Sequence, residues 1–187
     1  MKTCDEMISL FENANKRFLE MDKELFASRV SERTLCGALM LHLYCLMDCE
    51  GAFSDYHVDV EYNRNKGNLV TSRKTILGVN DVVLPINCDL IIHSRGNNKE
   101  QDNLIAIEMK KSMRPQEEKD RDRERLAALT RDSFNNEWQF DGNGLPEHVC
   151  RYVLGVYYEI NYRYNEINVE YYHRGDMIDT RKFKIPV

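Results

Sequence analysis

Apolar residues recur at helical spacing between Thr3 and Phe26, where Met7, Leu10, Phe11, Ala14, Phe18, Met21 and Leu25 fall on one stripe. That periodicity predicts an amphipathic helix over this stretch. A second helix is predicted from Ser31 to Met47, with Leu35, Leu39, Leu43 and Leu46 facing inward. The pattern then changes to that of strands. Three are expected at His57 to Tyr62, Asp89 to His93 and Leu104 to Met109, the last two joined into a hairpin by the Gly96-Asn97-Asn98 turn. Pro115 closes this stretch and opens a highly charged helix to about Arg131. A loop rich in Asn and Gly, Asn135 to Pro146, leads to three further strands: Tyr152 to Tyr162, Ile167 to His173 and Met177 to Ile185. Turns at Tyr164-Asn165 and Arg174-Gly175-Asp176 separate them. The predicted order is α-α-β-β-β-α-β-β-β, an α/β chain without internal repeat, low-complexity tract or linker.

Composition narrows the class. A chain of 187 residues with 42% hydrophobic and 30% charged side chains reads as one domain over residues 1–187, folded and water-soluble. No apolar run reaches the roughly 18 residues of a membrane span, so no membrane partner is expected. Met1-Lys2-Thr3-Cys4-Asp5-Glu6 lacks the layout of a secretion signal, and the six cysteines are expected as free thiols in the cytoplasm. The net charge of −5 argues against a tight, sequence-blind binder of nucleic acid.

The chemistry concentrates where charges interrupt apolar strands. From Leu104 to Met109 every residue but Glu108 is apolar, and with period-two alternation Leu104, Ala106, Glu108 and Lys110 share one face. Ile105, Ile107 and Met109 share the other, so both faces are apolar before the charges arrive. A carboxylate buried there requires a partner or a metal. The hairpin brings Asp89, at the start of the preceding strand, alongside Glu108.

This Asp-x18-Glu-x-Lys arrangement resembles the PD-(D/E)XK nuclease superfamily, with Cys88 standing where the family's proline would be. The resemblance covers roughly residues 31 to 162 and implies a restriction-endonuclease-like αβββαβ core, here with an extra N-terminal helix and C-terminal antiparallel strands. It further implies that Asp89 and Glu108 ligate Mg²⁺ or Mn²⁺ and that Lys110 orients or deprotonates the attacking water. Nucleases of this fold often place an acid on the first core helix, which makes Glu32 a further metal-ligand and catalytic candidate. A first-turn acid is also expected from the helix dipole alone. On the charged helix, Asp122 and Arg125-Leu126 loosely match the family's acid–base–Leu pattern, which implies a supporting role for Asp122; the plainer reading of the whole run, Asp122 included, is a solvated face.

Four bases, Arg64, Lys66, Arg73 and Lys74, fall within eleven residues and form the candidate phosphate-binding patch. The bland alternative is a solvated loop, with Glu61 simply paired to Arg64. His42, Cys45 and Cys49 share a helical face but lack zinc-knuckle spacing, so these cysteines, like Cys36, are read as small buried hydrophobes. His93 is read as a hydrogen-bonded strand-end histidine. Seven of the ten tyrosines lie between Tyr152 and Tyr172, which reports β-structure more than base stacking. No phosphate loop, nucleophile elbow or dinucleotide fingerprint is present. The expectation is a metal-dependent nuclease acting on nucleic acid, DNA before RNA, with a homodimer or protein partner supplying specificity. The alternative is a catalytically silent binding or regulatory subunit of a larger nucleic-acid-processing or defence assembly.

Overall fold

The computed structural model describes residues 1–49, 51–62, 64–65, 72–73, 75–77, 83–85, 88–132 and 150–186. Helix α1, Cys4–Met21, begins at a capping box: Thr3 Oγ1 accepts from the Glu6 N–H, and the Glu6 carboxylate accepts from the Thr3 N–H at 2.6 Å. It buries Met7, Leu10, Phe11, Ala14 and Phe18. The predicted single helix to Phe26 is interrupted at Asp22, which leaves the helical well at φ −110°, ψ 25°. Its carboxylate bonds His42 at 2.5 Å instead. Helix α2, Lys23–Ala27, then folds Phe26 back onto Phe18, with ring centroids 4.9 Å apart. Met21, assigned to the inward stripe, sits at this break and is 74% exposed. Helix α3, Glu32–Cys49, buries Leu35, Leu39, Leu43 and Met47, while Leu46 is half-buried.

The six strands expected from the sequence form one sheet. They are β1 (His57–Val60), β6 (Leu90–His93), β7 (Asn103–Lys111), β8 (Leu154–Asn161), β9 (Glu166–His173) and β10 (Asp176–Lys184), adjacent in that order. Between β1 and β6 lie two short antiparallel pairs that the pattern did not predict: β2 (Arg64–Asn65) with β3 (Ser72–Arg73), and β4 (Thr75–Leu77) with β5 (Val83–Pro85). Within the main sheet every neighbouring pair is antiparallel except β7 and β8. Parallel strands require a crossover, and helix α4, Gln116–Thr130, lies in it. The result, among the described residues, is a mixed α/β fold with four helices and a mostly antiparallel six-stranded sheet. No helix among the described residues is long and apolar enough to cross a membrane.

Helices α1 and α3 share one hydrophobic cluster with Ile105, Ile107, Met109, Val156 and Tyr158. Leu126 and Leu129 of α4 share a second with Ile91, Ala106 and Tyr157. Residues alternate between the two clusters along β7, as strand geometry requires. Leu104 is the exception: expected beside Ala106, it joins the α1–α3 cluster because the β6–β7 register shifts between Ile92 and His93. Gly155 sets how closely α4 approaches the sheet. A Cβ there would meet Thr130 Cγ2 of α4 and Tyr172 Cβ of β9 at 3.1 Å, so any larger residue would push these neighbours apart.

Candidate functional site

The β6–β7 ladder pairs Leu90 with Ile107, and the next step places Asp89 alongside Glu108. Asp89 is anchored from below, its Oδ2 accepting the Met109 N–H at 2.8 Å. Glu108 is 1% exposed and faces α4, the side on which Ala106 packs. Two residues further along the same face, Lys110 reaches α4 as well.

Helix α4 meets them with its own charges. Arg125 Nη1 donates to Glu108 Oε1 at 2.5 Å and to Asp122 Oδ1 at 2.9 Å. Lys110 Nζ lies 3.1 Å from Asp122 Oδ2, and Asp122 is buried. The five side chains therefore form one cluster under α4, with three carboxylates against two bases. Asp122 and Arg125, read as loose matches on a mostly solvated helix, are its inner face. Reading the run as wet missed Arg125 as the link between Glu108 and Asp122. The available signal was the i,i+3 acid–base pair immediately before Leu126, which marks the buried edge of an otherwise charged helix.

Glu32 approaches the same strand end differently. Its Oε1 accepts the Lys111 N–H at 2.8 Å, and Arg114 bonds both of its oxygens at 3.2 and 3.0 Å. It thus ties the start of α3 to the end of β7 and is engaged by its own base. The proposed phosphate patch is only partly visible: Arg64 and Arg73 sit opposite one another on β2 and β3, whereas Lys66 and Lys74 lie outside the described residues, as does the Asn135 to Pro146 loop. Glu61, expected beside Arg64, pairs with Arg33 at 2.6 Å.

Electrostatics follows from burial and from the unequal count of charges. Burial pushes the Glu108 carboxyl up to about 8; Arg125 opposes this, and Asp89 and Asp122 add to it. Burial likewise raises Asp89, against the pull of the Met109 N–H and Lys110. Lys110 is raised: burial acts to lower it, but Asp89 and Asp122 outweigh that. Glu32 goes the other way, since bonds from Arg114 and the Lys111 N–H overcome the opposing effect of burial. Around Asp89 and Glu108 three carboxyls face two bases, and the proton that Glu108 retains at neutral pH removes the imbalance; at Glu32 the charge is balanced by Arg114.

Among the described residues, no three His, Cys, Asp or Glu side chains converge as a ready-made metal cage. Asp89 and Glu108 nevertheless suit a hard cation, because Mg²⁺ commonly takes one or two protein carboxylates and keeps its remaining ligands as water and substrate phosphate. Such an ion would take the place of the proton that burial leaves on Glu108.

The other features singled out in the sequence have structural roles. His93 is fully buried, with Nε2 2.9 Å from Asp59 Oδ2; Asp59 also accepts a two-pronged bond from Arg95. Bonds from His93 and Arg95 hold the Asp59 carboxyl well below the usual carboxylate range, although burial alone would raise it. Its stabilising effect is therefore full above the unfolded pKa of about 3.9 and is lost only as pH falls below that. Asp59→Ala is expected to cost about 2–3 kcal/mol at neutral pH, from charge-assisted hydrogen bonds lost in a largely buried setting. The deficit should shrink toward pH 2, and urea unfolding across pH checks both the size and the trend. Cys36 is buried as expected, but Cys45 and Cys49 are exposed because they lie on the outer face of α3, away from Leu35, Leu39 and Leu43. Tyr152, Tyr157, Tyr158 and Tyr171 are fully buried between sheet and helices, in keeping with the β-structure reading.

The fold and site together define a mixed α/β protein with paired carboxylates on adjacent central strands, roofed by a basic and an acidic residue from one helix. No family model, no curated protein and no solved structure matches the chain.

Proposed function

We propose that the chain is a cytoplasmic, metal-dependent nuclease of PD-(D/E)XK type that hydrolyses phosphodiester bonds of nucleic acid, DNA in the first instance. The observation that carries this reading is the adjacency of Asp89 and Glu108 on neighbouring strands, with Lys110 two residues on. The sequence α3, β1, β6, β7, α4, β8 also follows the superfamily's αβββαβ order, with β7 and β8 parallel across the helix.

Asp89 and Glu108 would hold Mg²⁺ or Mn²⁺, which when bound acidifies water and offsets charge gathering on the phosphate. Asp89 is fixed for this by the Met109 N–H. Lys110 holds a water or phosphate oxygen in place, and Asp122 keeps its ammonium charged and aimed along the face. Arg125 keeps Glu108 oriented and favours its ionised form. Glu32 positions the strand end through the Lys111 N–H. Near this strand end the Lys111 ammonium bonds the Arg29 carbonyl and Arg114 pairs with Glu32, and these bases supply cationic contacts for a nucleic-acid backbone.

The test is a cleavage assay on plasmid, linear duplex, single-stranded DNA and RNA with Mg²⁺, Mn²⁺ or EDTA. Lys110→Ala is expected to reduce metal-dependent cleavage roughly 100- to 1,000-fold, the range for removing one charge-stabilising donor. Mn²⁺ binding by calorimetry should survive Lys110→Ala and disappear in Asp89→Ala. Cleavage retained at wild-type rate in both variants would place the chemistry elsewhere. The second reading, a binding module on the same scaffold, is favoured by the Arg125 bond that already occupies Glu108. Its signature is Mn²⁺ binding without cleavage of any substrate.

A further inference from the structure

Strand β10 closes one edge of the main sheet, and among the described residues no strand pairs with its outer side. It is nine residues long, and all but Phe183 are exposed, including Met177 at 54% and Ile178 at 47%. A long open edge is a template for another strand. Charges commonly guard such edges, but here they are ordered: Asp176 and Asp179 occupy the first half, and Arg181, Lys182 and Lys184 the second. Protection alone needs no such order. An antiparallel second copy does, because it sets the acidic half of each strand against the basic half of the other.

We infer that β10 is a homodimerisation edge, joining two copies by antiparallel β10–β10 pairing about a two-fold axis at Thr180. In that register Thr180 lies opposite its own copy, and Asp179 lies opposite Arg181 of the second copy, twice by symmetry. The end bearing Asp176, Met177 and Ile178 lies against the end bearing Lys182, Phe183 and Lys184. The β-bulge between Met177 and Asp179 leaves Asp179 to Lys184 as an uninterrupted ladder against β9.

The single chain holds this edge in a form that exchanges readily. The Thr180 N–H donates to Asp179 Oδ1 at 2.8 Å, so it faces away from β9. Asp179 Oδ2 in turn takes Arg181 Nε at 2.9 Å along the same strand. Exposed pairs of this kind contribute little. On association the Thr180 N–H exchanges Asp179 for a backbone carbonyl of the second copy, and each Asp179–Arg181 pair reforms between chains. The nine residues of each β10 strand give a small interface of the reversible class, below roughly 1,200 Å².

Sedimentation velocity of the full chain over a concentration series tests this. The expected result is a monomer–dimer equilibrium that Thr180→Pro weakens at least tenfold, since proline removes the outward N–H without touching the β9 ladder. Thermal unfolding of this variant, measured beside it, should stay close to wild type. Asp179→Arg and Arg181→Asp should each be monomeric alone through like-charge opposition and should form a heterodimer when mixed. A wild-type chain that stays monomeric up to about 1 mM overturns the inference. So does a dimer unaffected by all three substitutions, and so does a mixture of the two charge variants that does not associate. The inference does not rest on the nuclease reading, and neither metal nor substrate enters the measurement.

Discussion

Glu108→Gln is expected to abolish metal-dependent cleavage while removing most of the pH dependence of stability between about pH 5 and 8. Both effects come from one carboxyl. A metal acting as Lewis acid contributes several kcal/mol to the transition state, so loss of a ligand should cost on the order of 1,000-fold or more in rate. The stability effect follows from burial. Glu108 takes up its proton near pH 8 in the folded chain, against roughly 4.3 when unfolded. A raised acid contributes fully below the unfolded value, and that contribution is lost as pH rises through the folded one. The metal-free wild type should therefore lose on the order of a few kcal/mol across this interval, and Glu108→Gln should not. Asp89, also shifted upward, leaves a smaller residual slope. Chemical unfolding in EDTA at pH 5, 6, 7 and 8 measures it. Equal slopes in the two proteins would mean that Glu108 is already ionised and balanced by Arg125.

Arg125→Ala is expected to be the most destabilising single change in the cluster, by about 3–5 kcal/mol at pH 8, the usual cost of removing one partner from a buried pair. One nitrogen serves both Glu108 and Asp122, so its loss leaves Asp122 with Lys110 and Glu108 with the Cys88 thiol as the partners that remain among the described residues. The cost should fall in mild acid, where Glu108 can take a proton instead of a partner. Arg125→Lys should recover part of the stability, because the contact needs a cation more than a two-pronged fork. Urea unfolding of the three proteins at pH 5.5 and pH 8 separates these effects. If Arg125→Ala costs under about 0.5 kcal/mol, the level of ordinary surface substitutions, then Arg125 does not neutralise the site.

Much of this arrangement is legible along the chain, for reasons visible in particular residues. Alternation in Leu104 to Met109 placed β7 in the sheet with Glu108 as its one charged interruption, and the Gly96-Asn97-Asn98 turn put Asp89 next to it. Where the reading failed, a contact distant in sequence decided. The helix beginning near Thr3 stops at Asp22 because His42 takes its carboxylate, and Leu104 changes face because of a register shift against β6.

Hydrophobic periodicity by itself determined the six main strands, their order between the helices and the isolation of Asp89, Glu108 and Lys110 among apolar neighbours. Periodicity is a local property, since each element must present one face to a core whatever its partner is. Only the tertiary structure decided that α4 supplies Asp122 and Arg125 to those residues, that Glu32 is neutralised by Arg114, and that β10 is left as an open edge among the described residues. Those outcomes depend on how closely Gly155 lets α4 descend and on which strand lies last in the sheet. Both are set by packing between segments far apart in the chain, which no sequence window contains.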